Sequence, residues 1–174
     1  MKEHDPLTPA TRKLIDDFRA ALRQPGAVAA AEQAEREAIY ADAESGKLTA
    51  AELMGRIADF RQRRLAGDLA ELAAIERIPE INAAVREDCL AAEARAEKAR
   101  DAREAELAEL AKASKLSPAQ LVALVANDEK FSATLAAIEG ARELRQRGIG
   151  GADIVRRADD LRQSIHNQLD RLFL

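Results

Sequence analysis

The chain has 174 residues, 47% hydrophobic, 33% charged and 3% aromatic, with 39 alanines, one Cys, no Trp and a net charge of −4. A charged share above the usual quarter, on an Ala/Glu/Leu/Arg background, is the composition of long helices and coiled coils; residues that favour a pleated surface are too sparse for a sheet. A disulfide scaffold and a Cys/His zinc module are excluded, no run approaches the roughly 18 apolar residues of a membrane span, and the acidic balance argues against a nucleic-acid footprint over the whole chain.

The opening Met1–Pro6 is polar with no apolar run behind it, so no signal peptide and a cytoplasmic location are expected. Thr8 and Pro9 open a first helix, since Thr caps free N–H groups and Pro at the first helical position loses nothing. Its apolar face is Leu14, Ile15, Phe18, Ala21 and Leu22, and Pro25-Gly26 should end it. A second, Ala-rich helix is expected over 27–45, with Val28, Ala31, Ala38 and Ile39 on one side and Gly46 as its stop.

Thr49-Ala50-Ala51-Glu52 reads as a capping box, in which Thr and Glu each satisfy a backbone N–H of the other. The following helix, 49–78, carries Leu53, Ile57, Phe60, Leu65, Leu69, Leu72 and Ile75. The step from Phe60 to Leu65 breaks the three–four rhythm just before Gly67-Asp68, so a bend or stutter is expected there. Residues 79–114 contain no Gly and no Pro after Pro79 itself, which predicts one helix of roughly 55 Å. Ile81, Ala84, Val85 and Cys89 mark its apolar face, and Ala92, Ala96 and Ala99 form a narrow seam. The 86–112 stretch is dense in charge, with pairs such as Arg103–Glu106 and Glu109–Lys112 spaced to support a partly solvated helix.

Ser117-Pro118-Ala119-Gln120 is a second cap, Asp128 a third, and Phe131, Leu135, Ile138 and Leu144 line the helix beyond it. Gly148-Ile149-Gly150-Gly151 should be the most flexible point. A last helix carries the stripe Ile154, Ala158, Leu161, Ile165, Leu169 and Leu172, ahead of Phe173-Leu174. Six or seven helices result, in three consecutive segments: an N-terminal helical pair at 1–48, a long hairpin or coiled-coil arm at 49–115 and a helical bundle segment at 116–174. The class is all-α: an elongated helical bundle or antiparallel coiled-coil hairpin with shorter flanking helices. A rod kinked at Pro79 is the alternative to the hairpin.

Candidate chemistry is thin. Gly46-Lys47-Leu48-Thr49-Ala50-Ala51-Glu52-Leu53 resembles the second half of an EF-hand calcium loop: a turn Gly, an apolar residue two later, then the Glu. The oxygen ligands of the first half are missing, because Ala41 and Ala43 stand where they belong, and the capping box explains the same letters. No metal, cofactor or catalytic residue is expected. Asp16-Asp17, Glu87-Asp88 and Asp159-Asp160 lie among charged neighbours, whereas general acid–base work needs a poorly hydrated pocket. The Gly-rich 148–151 run has no strand before it and no Lys-Ser/Thr after it, so it is not a phosphate cradle.

Three arginine clusters (Arg61, Arg63 and Arg64; Arg142, Arg145 and Arg147; Arg156 and Arg157) and the helix pair at 117–147 suggest a helix-turn-helix-like DNA regulator as an alternative. Acidic Asp128-Glu129 at the start of its second helix would repel phosphate, so nucleic acid is the less favoured partner. The favoured reading is a non-enzymatic helical assembly or adaptor protein, a scaffold or oligomerising subunit that associates with a protein partner or itself and not with a membrane. Its Ala/Arg-rich usage is associated with bacterial or phage genomes. The interaction residues expected on this reading are Ile154, Leu161, Ile165, Leu169, Leu172 and Phe173.

Overall fold

The computed structural model describes residues 5–170, which form an all-α helical bundle with no strand among them. The helices are α1 (Pro9–Ala21), α2 (Pro25–Glu44), α3 (Ala50–Glu76), α4 (Ile78–Ala113), α5 (Pro118–Ala126), α6 (Glu129–Arg147) and α7 (Ala152–Asp170). The caps fall where the sequence puts them. Thr49 and Glu52 make both arms of a capping box, Ser117 and Gln120 make another, and Asp128 accepts from the Phe131 N–H. Pro25-Gly26 departs from expectation: it opens α2 instead of closing α1, as proline's fixed φ and missing donor suit a first turn.

The chain divides into two compact units, each assembled from two separate stretches. The first joins the segment up to Leu14 with Pro79–Ile149; the second joins Ile15–Ile78 with the segment from Gly150 on. These boundaries cut across the three consecutive segments expected from the punctuation, and they assign the two helices of the expected hairpin to different units.

In the first unit α6 runs antiparallel to α4, since Asp128 meets Arg103, Arg142 meets Glu93 and Ile149 meets Asn82. Ile81, Val85, Cys89, Leu107, Ile138 and Ala141 fill the core between them, each at most 3% exposed. Thr8 N–H donates to Asp88 Oδ2 at 2.7 Å and fixes the start of α1 on α4. Burial alone would raise the Asp88 pKa, but that bond and the Thr11 and Thr8 hydroxyls outweigh it and hold the carboxyl below its ordinary range. The glycine run at 148–151 is more constrained than its composition implies. Asn82 Oδ1 accepts from Ile149 N–H at 2.6 Å while its Nδ2 donates to Ile149 O at 3.0 Å, so one side-chain amide pairs both backbone groups of a single residue. Gly148 has φ +60, and a Cβ there would lie 2.9 Å from Asn82 Oδ1, so only glycine fits the latch.

In the second unit α3 packs against α7 and α2, both antiparallel to it. Arg157 meets Glu71 and Gln168 meets Asp68 on one side; Asp42 meets Arg56 and Glu32 meets Arg64 on the other. α3 is helical throughout 60–68, and what it buries changes character just beyond the Phe60–Leu65 step. Leu69 is 47% exposed, while Asp68 and Glu71 are 5% and 1% exposed, followed by Ile75 at 6%. On α2 only Ile39 is buried; Ala31 and Ala38 face solvent, because a short alanine has little area to gain by turning inward.

Candidate functional site

The densest polar arrangement is the one α3 buries. Glu71 accepts Arg23 Nε at 2.9 Å and, bidentately, Arg157 Nε at 2.9 Å and Nη2 at 2.7 Å. Asp68 accepts Arg23 Nη2 at 2.5 Å, Ser164 Oγ at 2.8 Å and Gln168 Nε2 at 2.8 Å. Two carboxylates thus face two guanidiniums and two neutral donors. Burial would raise both acids, but the hydrogen bonds from Arg157 and Arg23 on Glu71, and from Arg23, Ser164 and Gln168 on Asp68, prevail and both titrate below their ordinary range. Gly67 makes room for this: a Cβ there would stand 2.5 Å from Arg23 Nη1, across whose path it lies. A carboxylate so clamped is neither an acid with a proton to give nor a base near neutrality. Sequence reading took the apolar residues of α3 as its face and missed the cluster; the broken rhythm before Asp68 was its one visible trace.

The first unit holds a looser counterpart. Glu93 is 9% exposed and receives Arg142 Nε, while Arg145 Nη1 lies 2.9 Å from Glu93 Oε2, close enough for ion pairing but off the hydrogen-bonding angle. Arg142 also reaches Glu97 at 2.9 Å. Arg103 grips Asp128 with two bonds of 3.1 and 2.6 Å. Arg103, together with the Phe131 N–H that Asp128 caps, holds the Asp128 pKa at about 2.

The arginine clusters are therefore largely committed. Arg63 pairs with Glu35, Arg64 with Glu32, Arg142 and Arg145 with Glu93, Arg156 with Asp153 and Arg157 with Glu71. The 117–147 helix pair exists as α5 and α6, but Arg142 and Arg145 are turned to their own unit's Glu93 and Glu97. The loop that resembles half an EF-hand is likewise engaged: Glu52 Oε2 accepts from Thr49 N–H and Oγ1, and Asp42 is held by Lys47 at 3.3 Å and Arg56 at 2.9 Å. Those contacts lower both carboxyls, on Asp42 through Lys47 and Arg56 and on Glu52 through Thr49. No group of three or more metal-ligating side chains occurs among the described residues. His166 is exposed, 3.3 Å from Asp170. Cys89 is 0% exposed, and burial pushes its thiol pKa up, with Asp88 adding to the effect.

The expected interaction stripe is divided by the fold. Leu161 and Ile165, 1% and 9% exposed, are covered by the chain's own second unit; Ile154 is half-buried and Leu169 is 38% exposed. Leu172 and Phe173 lie outside the described residues. The surface carries other apolar groups instead, and α5 stands out. Its sequence PAQLVALVA has no charged residue, it is the most apolar helix of the chain, and none of its residues is buried. Val122 is 69% exposed. A second concave feature lies in the second unit between α2, α3 and the end of α7: a cavity of about 220 Å³ with Ile39, Ile57, Phe60 and Leu65 among its lining and Arg36, Arg61 and Arg64 around it.

No known protein family, curated protein or solved structure matches this chain.

Proposed function

We propose that the protein is a non-enzymatic helical assembly protein that associates through apolar helix surfaces, with α5 as the principal contact and a second copy of this chain as the occupant. The single observation that carries the reading is that the most apolar helix buries none of its residues. An apolar helix of a monomer normally turns its stripe fully inward; α5 leaves Leu121, Leu124 and Val125 only half-buried and Val122 exposed, and so has contact area to offer. Because α5 carries no charge, two copies meeting across a two-fold axis bring no like charges together, which suits self-pairing. The internal pairing of the arginines supports a protein partner over nucleic acid, since a guanidinium held by a carboxylate releases no counterion on meeting phosphate. Leu169, with Leu172 and Phe173 beyond it, is a secondary contact on the same reading. The setting that fits is the reducing cytoplasm, where the lone Cys89 thiol stays reduced, and a bacterial or phage assembly suits the Ala/Arg-rich usage.

The test is solution mass by size-exclusion chromatography with light scattering over a concentration series. The native chain is expected to form a dimer or larger species, Val122→Asp to revert to monomer with unchanged helicity, and removal of Leu172–Leu174 to weaken association less. A native chain that stays at 18.9 kDa at every concentration overturns the reading.

A further inference from the structure

We propose that the cavity between α2, α3 and the end of α7 binds a small aromatic anion, a molecule that combines a carboxylate with an apolar ring system. Two observations converge. The lining supplies apolar surface through Ile39, Ile57, Leu65 and the ring of Phe60, with the chain's one tyrosine, Tyr40, at its edge. Aromatic rings favour another ring as neighbour. The volume of about 220 Å³ falls below the roughly 300–1,000 Å³ of pockets for drug-sized ligands, which sets the scale at one or two rings.

The second observation is charge. No acid lines the cavity, so its three arginines leave a positive rim. Arg64 is shared with Glu32 at 3.3 Å and Arg36 reaches Gln33, but Arg61 has no ion pair or hydrogen bond among the described residues. In a chain whose other arginine clusters are so largely neutralised, this is a guanidinium with its fork open to a carboxylate.

The probe is indole-3-acetate, titrated calorimetrically and by indole fluorescence, which is free of protein background because the chain has no Trp. Saturable one-to-one binding is expected. Indole-3-ethanol, which lacks the charge, and the Arg61→Gln variant should each weaken binding by about tenfold or more. 1-Naphthaleneacetate, which keeps the carboxylate and the ring area, should bind with comparable affinity. Arg61 is exposed and unpaired, so its variant keeps the fold. No saturable binding, equal affinity of Arg61→Gln, or an alcohol that binds as tightly as the acid overturns the proposal. Binding that appears only after removal of Leu172–Leu174 also overturns it, because the cavity then belongs to the chain's own tail.

Discussion

The two units solve the same packing problem by different means. Along α4 the inward stripe runs Ile81, Val85, Cys89, with each side chain at most 1% exposed, and the first unit is held by dry apolar contact at that level. Along α3 the inward face instead delivers Asp68 and Glu71 ahead of Ile75, and the second unit is held there by charges. Apolar burial is additive and tolerant of sliding. A bidentate guanidinium–carboxylate contact is neither, since it forms at one register and leaves unpaired charge at every other. The first unit has its own Glu93 cluster, but Arg142, at 48% side-chain exposure, leaves that one open to water.

The contrast is breakable at named residues, and the sequence supplies an observer for each unit. Tyr40 is the only tyrosine and lies in the second; Cys89 is the only cysteine and lies buried in the first. The largest effect is expected from Glu71→Ala, which strands Arg157 and leaves Arg23 with Asp68 alone, and should destabilise the second unit by about 3–5 kcal/mol, read from Tyr40 fluorescence in urea. Replacing Arg23, Asp68, Glu71 and Arg157 together by Met should restore most of that loss, because no uncompensated charge is then left in the cluster. Ile81→Ala should destabilise the first unit by about 2–5 kcal/mol, with faster thiol labelling of Cys89 and little change in the tyrosine signal. Equal response of both reporters to both variants would show that the units unfold as one.

Acid should also sharpen the comparison. Asp68 and Glu71 titrate below their ordinary values in the folded chain. Their stabilisation is therefore complete above the unfolded carboxylate range, about pH 4, and is lost as pH falls through the lower folded values. Asp128, held at about 2, does the same for the link into α6. Tyrosine-monitored unfolding on acidification should thus begin only below about pH 4 and, in Glu71→Gln, at a higher pH than in the native chain. The smallest effect is expected from Gly67→Ala. Mid-helix alanine is normally worth about 1 kcal/mol over glycine, but here the new methyl displaces Arg23, and the gain measured in urea should be close to zero.

The helices and their caps were legible in the sequence because each rests on neighbouring residues: Thr49 and Glu52, Ser117 and Gln120, and Asp128 act within one turn of themselves. The buried charges were not, because Glu71 alone reads as a solvated acid, and its partners Arg23 and Arg157 stand 48 and 86 residues away. The Asn82 latch was hidden for the same reason, since nothing near Gly148 announces an amide 67 residues earlier. Of the residues expected to meet partners, Leu161 and Ile165 carried the right periodicity, but a stripe on a helix cannot tell an inner face from a shared one. The cavity residues are drawn from α2, α3 and α7, and they become a site only when the three helices are together.

The long separations around Glu71 also set an order of events during folding. α3 docked on α7 alone would bury two carboxylates against a single guanidinium, and α3 docked on the preceding segment alone would lack Arg157. Neither half-built state balances its charge, so neither is a comfortable resting place, and closure waits until both distant segments arrive. Contacts of such high sequence separation are slow to form, because loop closure costs entropy before they give anything back. Arg23 and Arg157 should then affect the unfolding rate of the second unit far more than its folding rate, which makes this cluster a device for keeping the finished unit shut rather than for starting it.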